Sequence, residues 1–210
     1  MEVTAPARRF IRREVHRPET QDIIYQAAIK LFRERGYHAT SIRDIATAAG
    51  IQPATIYHYF GNKEALLYTI MEQVIIDLLK VQEHVLSTSD DPVELLQEMV
   101  RAHVQFHCEH ALEAFISDTE LRALSDEFYA KFLAYRDQYQ ARFRSVIEDG
   151  VKRGVFTVPD VRVTTNILLI MSTGAVAWYC SDGRLPLKEI ANIHAELALK
   201  AVLTPQKQCG

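Results

Sequence analysis

Glycine, proline and cysteine are all scarce in this chain of 210 residues. The 8 glycines and 7 prolines argue against a β-sandwich, a barrel or a low-complexity chain, and they favour long helices. The 3 cysteines lie far apart, at 108, 180 and 209, and no Cys-x-x-Cys pair occurs. This spacing argues against a disulfide framework and a thiolate zinc site. It indicates a reducing compartment, which we take to be the cytoplasm.

Segments that would target the chain to a membrane are missing as well. Arginines are frequent among the first residues, but no apolar segment follows them, so we expect no secretory signal. Residues 163–181 carry no charge and approach the ~20 residues of a membrane-spanning helix. Because this run contains several threonines and serines and stands alone in the chain, a buried helix is favoured over a membrane span.

The common catalytic motifs do not occur in the sequence. It contains no G-x-S-x-G, no H-E-x-x-H, no G-x-x-x-x-G-K-[ST] and no dinucleotide-binding glycine fingerprint. Pairs of carboxylates such as Asp90 and Asp91 are better explained as helix caps than as an acid–base pair. We therefore expect no enzyme and no cofactor, and we assign no catalytic residue.

Charge is divided unevenly along the chain. Residues 1–63 hold ten Lys and Arg against six Asp and Glu, whereas the remainder holds fourteen against twenty-one. A basic N-terminal part on an acidic body predicts that one end of the molecule meets a polyanion and the other does not. An arginine tail that merely keeps the chain soluble would explain the same asymmetry, so charge alone leaves both interpretations open.

Apolar periodicity and capping residues predict an all-α protein. We divide it into a basic arm (1–18), a three-helix helix-turn-helix domain (19–63), a six-helix domain (64–203) and a tail (204–210). The nine helices are expected at about 19–35, 41–49, 52–60, 63–86, 92–110, 111–124, 125–154, 160–181 and 186–203.

Residues 41–60 read SIRDIATAAGIQPATIYHYF and have the spacing of a helix-turn-helix. That motif needs a small residue in its first helix, a turn residue that tolerates positive φ and an apolar anchor in its second helix. Ala46, Gly50 and Ile56 are residues of these types at the required spacing. The second helix then offers side chains that suit phosphate oxygens, thymine methyl groups and base edges better than plain solubility. These residues are Pro53, Ala54, Thr55, Tyr57, His58 and Tyr59.

A longer series of residues extends the motif on both sides. It comprises Gly36-Tyr37-His38-Ala39-Thr40-Ser41, Ile45-Ala46, Ala49-Gly50, Ile56-Tyr57-His58-Tyr59-Phe60 and Asn62-Lys63-Glu64-Ala65-Leu66. In order and without gaps, these residues resemble the DNA-binding domain of the TetR family of bacterial repressors over about 19–68. The chain departs from the family pattern at Gln52, where a serine cap is usual, and at Gly61, where proline is common.

The resemblance implies which residues contact DNA. Thr55 and Tyr57 would contact DNA from the recognition helix, and Tyr57 and His58 would touch backbone phosphates. Lys63 would bind another phosphate at the start of the fourth helix, aided by the helix dipole, whereas Phe60 is expected in the core. The arginine arm would add non-specific affinity or reach the minor groove, and an unstructured tail is the alternative. Three residues would approach the sugar–phosphate backbone from the preceding helix, namely Thr40, Ser41 and Arg43.

A different role follows from the resemblance for the C-terminal domain. In the TetR family this part binds a small effector and forms a homodimer through its last two helices. Here those helices are about 160–181 and 186–203, so the charge-free segment would be shared between the effector pocket and the dimer core. A helix that serves only the core of one monomer is the alternative.

Several C-terminal stretches match a narrower group. Residues 121–125, 135–137, 147–156, 178–179 and 182–185 resemble TetR proteins whose effectors are acyl-CoA thioesters of fatty-acid or steroid degradation. An acyl-CoA needs an apolar tunnel for its chain and basic groups for its phosphates, although core packing is the competing explanation for each aromatic residue. The residues implied for this pocket are Arg101, His103, Phe106, His107, Phe115, Arg122, Tyr135, Tyr139, Met171, Trp178 and Tyr179, and further candidates are Phe132, Arg136 and Phe143.

Three histidines share one face of the fifth helix. His103, His107 and His110 are spaced i, i+4 and i+7, and histidines one turn apart can bind one metal ion. No second element supplies an obvious further ligand, so polar lining of the pocket and ordinary packing compete with a metal site. We assign no metal ligand.

Together these patterns predict a homodimeric transcriptional repressor that binds a palindromic DNA operator and is released by a small effector, expected to be an acyl-CoA. Its two recognition helices would enter successive major grooves, about one helical turn apart. The alternatives are a TetR-type sensor of a metal or a hydrophobic drug, and a helical ligand-binding protein without specific DNA function.

Overall fold

Residues 19–204 are described by the computed structural model, and they form an all-helical bundle, as predicted. The basic arm and residues 205–210 lie outside this range. Within it, no helix is both long and apolar enough to cross a membrane. The helices are α1 (Thr20–Arg35), α2 (Ile42–Ala49), α3 (Pro53–Phe60), α4 (Lys63–Leu86), α5 (Pro92–Glu109), α6 (Ala111–Thr119), α7 (Asp126–Lys152), α8 (Val161–Thr173) and α9 (Leu187–Val202).

Helices α2 and α3 form the predicted helix-turn-helix, with α1 packed beside α2. Ser41 caps α2 reciprocally with Asp44, because the Ser41 hydroxyl accepts from the Asp44 N–H at 3.2 Å and the Asp44 carboxylate accepts from the Ser41 N–H at 2.8 Å. Gly50 ends α2 with a φ of 67°, a left-handed conformation that favours glycine. Ile56 is fully buried and anchors α3, and Phe60 packs against the core as expected.

The fifth helix is the centre of the C-terminal bundle. Helices α4, α7, α8 and α9 all pack against it, and its Leu96, Val100 and Val104 have no exposed surface. The long helix α4 runs from the helix-turn-helix into this bundle, so its Leu66 and Leu78 both belong to one continuous apolar core. The helix-turn-helix and the C-terminal bundle therefore share one packed core.

A close contact at the end of α7 requires a glycine. Gly154 ends the helix at a φ of 75°, and the chain then folds back so that the buried Phe156 ring lies against Gly150. A Cβ added to Gly150 would lie 2.0 Å from that ring. The Phe156 segment pairs with the end of α9 through an isolated antiparallel bridge to Leu203. The Gly-x-x-x-Gly-x-Phe spacing of residues 150–156 therefore joins α7 to α9.

Two predicted helices end earlier than the sequence indicated. The segment predicted at 160–181 is α-helical only to Thr173, because Gly174 opens a short 3₁₀ turn, Gly174–Ala177, and an irregular loop follows. Glycine has no side chain to favour the helix, so the tighter turn replaces another helical turn. The segment predicted at 111–124 likewise divides into α6 and a 3₁₀ turn at Leu121–Ala123.

Candidate functional site

Aromatic side chains stand on the outward face of α3. Tyr57 is 52% exposed, and His58 and Tyr59 beside it are exposed as well. Gln52 precedes the helix and makes no capping hydrogen bond with its side chain, in agreement with its departure from the usual serine. This surface suits insertion into a groove of DNA. The remaining predicted contacts on this helix are Ala54, which is exposed, and Pro53 and Thr55, which are half-buried.

The three predicted contacts next to α2 differ in their exposure. Ser41 and Arg43 are exposed, although the Ser41 hydroxyl already caps the helix. Thr40 is only 1% exposed, and its hydroxyl donates to the carbonyl of Gly36 at 2.9 Å. The expected contact between the Thr40 side chain and the sugar–phosphate backbone is therefore wrong, because this side chain fills the interior of the turn between α1 and α2.

Lys63 holds that same turn from the start of α4. Its Nζ donates to the carbonyls of Tyr37 at 3.0 Å and Thr40 at 2.8 Å, and it lies 4.1 Å from the centre of the Tyr37 ring. Partial burial lowers the pKa of this ammonium. Two of its three N–H groups are used inside the domain, which leaves one for a phosphate oxygen.

Two glutamates connect the helix-turn-helix to the segment between α6 and α7. Glu120 Oε1 accepts from the backbone N–H of Tyr37 at 3.2 Å, and Glu64 Oε1 accepts from the backbone N–H of Ser125 at 2.6 Å. The N–H of Tyr37 is thus held by the C-terminal bundle, while its carbonyl is held by Lys63. The turn before α2 is therefore positioned by both parts of the molecule.

Helices α4 to α8 enclose a cavity of about 740 Å³. Its inner wall includes the buried side chains of Val74, Ile75 and Leu78 from α4 and Phe132 from α7. This volume lies within the range of roughly 300–1,000 Å³ that small-molecule sites occupy. The opposite part is a polar rim, formed by Asp118, Arg136, Asp137, Gln140 and Asn166.

A histidine network lies in the inner wall. His103 Nδ1 lies 2.8 Å from the Tyr139 hydroxyl, and its Nε2 lies 2.8 Å from the Thr173 hydroxyl, so the imidazole joins α5, α7 and α8. The His107 ring lies 4.2 Å from the His103 ring between centroids, with the two planes tilted by 41°. Burial lowers the pKa of His103 well below its usual value, and burial together with Arg136 lowers the pKa of His107 to about 4. Both rings are therefore neutral at pH 7.

The structure brings some of the predicted effector residues together. His103, His107 and Tyr139 line the cavity, and so do the further candidates Phe132 and Arg136. Within residues 19–204, no group of three or more His, Cys, Asp or Glu is placed to hold a metal ion. Pocket lining is therefore the interpretation of the histidine face that the geometry favours.

Three other predicted effector residues are engaged elsewhere. Arg101 bonds with Glu98 and with Asn192 of α9. Phe106 is buried against the core and contacts the ring of His110 at 4.4 Å between centroids, but it does not line the cavity. Phe115 lies under a guanidinium of α1 at 4.0 Å. These three side chains therefore do not line the cavity, and their assignment to an effector site stays a prediction.

The remaining five predicted effector residues also lie outside the cavity wall. Arg122 is exposed on the 3₁₀ turn, and Tyr135, Met171 and Tyr179 are half-buried against the core. Trp178 follows the point where α8 ends early, so it is exposed and stacks on His194 at 6.1 Å. It lines a separate cavity of about 450 Å³ beside α9.

Sequence reasoning missed the contribution of α4 and most of the polar rim. The signal that could have found the rim is helical spacing, because Phe132, Arg136 and Gln140 follow one another at intervals of four on α7. Gln140 bonds with Asn166, which begins a similar stripe on α8. Spacing identifies a common face, but it does not say whether that face meets a neighbouring helix or a cavity.

An apolar stripe on α8 and α9 remains uncovered in the single chain. Val163, Ile167 and Ile170 repeat at helical spacing along α8 and are all exposed, Ile170 by 73%. Ile193 and Leu197 are exposed apolar residues on α9. Exposed apolar residues at helical spacing are typical of a protein–protein interface.

Comparison with known proteins identifies the family. Residues 24–69 match the family described as bacterial regulatory proteins, tetR family, and residues 89–202 match the tetracyclin repressor-like C-terminal domain. The chain is 29% identical over 180 residues to the HTH-type transcriptional repressor KstR2 of Rhodococcus jostii, with 85% of this chain and 88% of that protein covered.

Two solved structures share the fold. The TetR family transcriptional regulator PfmR from Thermus thermophilus is 33% identical with a TM-score of 0.78, over 84% of this chain and 97% of that one. AibR, solved in complex with isovaleryl coenzyme A and operator DNA, is 28% identical with a TM-score of 0.76, over 85% and 96%. The chain therefore belongs to the TetR family and is a helix-turn-helix transcriptional repressor.

Proposed function

We propose that this repressor senses an acyl-CoA thioester, which enters the cavity between α4 and α8 and releases the protein from a palindromic operator. The cavity itself carries this proposal, because a buried apolar inner wall meets an exposed rim that includes Arg136. The apolar wall suits an acyl chain, and a guanidinium suits the phosphates of coenzyme A. Its relative AibR was solved with a ligand of this class.

The DNA surface in this proposal is the exposed face of α3. Tyr57 and His58 would reach the backbone phosphates or base edges, with Thr55 beside them. Arg43 on α2 and the remaining N–H of Lys63 would hold the phosphates on either side. These assignments agree with the exposure of Tyr57, His58 and Arg43 and, for Lys63, with a third N–H that makes no hydrogen bond within residues 19–204.

The homodimer in this proposal forms through α8 and α9. Burial of Val163, Ile167 and Ile170 against a second copy would remove their exposed apolar surface from water. Ile167 is 58% exposed and does not line the cavity, so an Ile167→Glu variant should shift the protein toward monomers in light scattering coupled to size-exclusion chromatography. Exposed Tyr129 on α7 offers a control, because Tyr129→Glu places the same charge away from the proposed interface.

The path from the cavity to the DNA surface runs through α6. Ser117 and Asp118 line the cavity, and two residues later Glu120 holds the N–H of Tyr37 at the turn before α2. A ligand that displaces α6 would therefore move the start of the helix-turn-helix. Release of the operator on effector binding would then follow from a difference in free energy between two conformations of the dimer.

A thermal-shift panel followed by an operator-release assay tests the effector class. The panel compares acyl-CoAs, the free fatty acids, divalent metals and cationic dyes, and a ligand at 100 times its Kd should add roughly 2.7 kcal/mol. We expect stabilisation by acyl-CoAs, and release of a duplex selected from random-sequence DNA by the same compounds. Arg136→Gln should weaken the thioester more than the free acid.

Other outcomes identify other sensors. If thioesters neither stabilise the protein nor release the duplex, the acyl-CoA proposal is wrong. Stabilisation by metals would direct attention to the histidines of α5, and stabilisation by cationic dyes would favour a sensor of hydrophobic drugs.

A further inference from the structure

His107 differs from the other polar side chains of the inner cavity wall, although the residue as a whole is only half-buried. His103 is bonded to two hydroxyl groups, and the Ser117 hydroxyl donates to the carbonyl of Glu113 at 3.0 Å. No hydrogen bond to the His107 ring occurs within residues 19–204, and its Nδ1 is shielded from solvent without a partner. A buried polar group without a partner in the protein is a position where a ligand can supply one.

Because Nδ1 of His107 is shielded and has no partner, we can infer which ring nitrogen carries the proton. The low pKa leaves the ring neutral, with a single N–H. A buried N–H without an acceptor is rarer and more costly than a buried lone pair without a donor, so the proton belongs on Nε2. His107 lines the cavity, so with this tautomer an Nε2–H without an acceptor in the described part of the chain is available at the cavity wall.

We propose that His107 Nε2 donates a hydrogen bond to an oxygen in the acyl part of the effector, and that this bond selects effectors carrying such an oxygen. The inference rests on the proposed acyl-CoA function and narrows it. A hydrocarbon group placed against His107 would displace water and leave the N–H unsatisfied, whereas a carbonyl or hydroxyl oxygen would satisfy it. The oxygen has two possible sources, the thioester carbonyl and an oxo or hydroxyl group further along the chain.

Matched ligands distinguish these sources. Isothermal titration calorimetry should compare an acyl-CoA with the S-alkyl thioether of coenzyme A of equal length, which lacks the carbonyl, and with oxo-acyl-CoAs that carry a ketone near either end of the chain. The oxygen that His107 contacts should improve affinity by about tenfold or more, since each tenfold corresponds to about 1.4 kcal/mol, within the cost of an unsatisfied buried donor.

Variants assign the preference to His107. His107→Phe keeps a planar ring but removes the donor, so the preference for the oxygen-bearing ligand should fall to about twofold or less. His107→Leu is a second apolar replacement in case the larger ring does not pack, and His107→Gln keeps an N–H and should retain part of the preference. His84→Phe is the matched control, because His84 is exposed near the end of α4 and does not line the cavity.

The possible failures are separable. Equal affinity of the chain for all four ligands would overturn the role of His107 while leaving the acyl-CoA function intact. A preference that persists in both apolar variants would assign the oxygen contact to another residue and also overturn the proposal. Binding of none of the coenzyme A derivatives would overturn the proposed effector class and this inference with it.

Discussion

The DNA-binding surface and the effector cavity of this chain are assembled in opposite ways. On α3, Tyr57, His58 and Tyr59 are consecutive in sequence and all exposed. In the cavity wall, neighbours along the chain diverge, because His107 lines the cavity while Phe106 packs elsewhere. A site made of adjacent, exposed residues can be predicted from the sequence. A site formed by residues from five helices cannot, because it depends on how those helices pack.

The same contrast applies to stability. Exposed residues on α3 contribute little to the folded core, so a substitution there should change DNA binding without changing the melting temperature. The inner wall of the cavity and the helix contacts that support it are buried, so substitutions there should change folding as well as binding. Four predictions test this separation, and they are ordered from the largest expected effect on free energy to the smallest.

The largest effect is expected at Gly150, in the support of the C-terminal bundle. A Gly150→Ala substitution places a Cβ 2.0 Å from the Phe156 ring, so the ring must move from its buried position. We expect a loss of about 3 kcal/mol of folding free energy, or roughly 6–12 °C in melting temperature. Gly174→Ala is the control, because a Cβ there meets nothing within 4 Å and the φ of −59° suits alanine. Equal melting temperatures for the two variants would contradict the close packing.

Gly150 also shows which features of the fold can be predicted from the sequence and which cannot. The Gly150, Gly154 and Phe156 pattern was visible as part of a resemblance, but the reason for it, the contact between Phe156 and Gly150, requires the fold. The helix-turn-helix was predictable in full, because caps, turn glycine and apolar anchor act over neighbouring residues. The early end of α8 was not predictable, because a charge-free run fits a helix or a loop. Since α8 ends at Thr173, Trp178 lies outside the predicted pocket.

The second prediction concerns the pH dependence of stability in the cavity wall. The folded pKa of His107 is about 4, below the ordinary value of 6.5, because the ring is buried and near Arg136 and His110. The pKa of His103 is lowered too, by burial and by His107 and His194. Between pH 6.5 and 4 the unfolded chain binds these protons more readily, so stability falls as the pH falls through this window and is fully present above it.

Its measurement is urea unfolding at several pH values. The His107 contribution amounts to about 3 kcal/mol across the window, and a His107→Gln variant should lose that part of the slope. Carboxylates titrate in both proteins, so the difference between them isolates the histidine. Parallel curves for the two proteins would show that His107 is not desolvated in the folded state.

The third prediction tests the other side of the comparison, at the DNA surface. Tyr57→Ala should weaken binding to a selected operator duplex by about tenfold to a hundredfold, as expected for loss of phosphate or base contacts in both halves of a dimer. Its melting temperature should stay within about 1 °C of the parent, because the ring is largely exposed. Fluorescence anisotropy gives the affinity, and Tyr129→Ala on α7 controls for loss of an exposed tyrosine. A drop in melting temperature with unchanged operator affinity would place Tyr57 in the core instead.

The smallest effect is expected where the two regions meet, at Glu120. Glu120→Ala removes the acceptor for the Tyr37 N–H, whereas Glu120→Gln keeps an oxygen at the same place. Glu120 and Tyr37 neither line the cavity nor lie on α3. Effector affinity measured without DNA should therefore change by less than about twofold. The ratio of operator affinities with and without effector should fall about threefold or more in the alanine variant, a small part of the roughly 5- to 150-fold coupling that allosteric proteins commonly show. This ratio should stay near the parent value in the glutamine variant.

If both variants release the operator as the parent does, the cavity communicates with α3 through the packed core of α4, and the hydrogen bond at Tyr37 only anchors the turn.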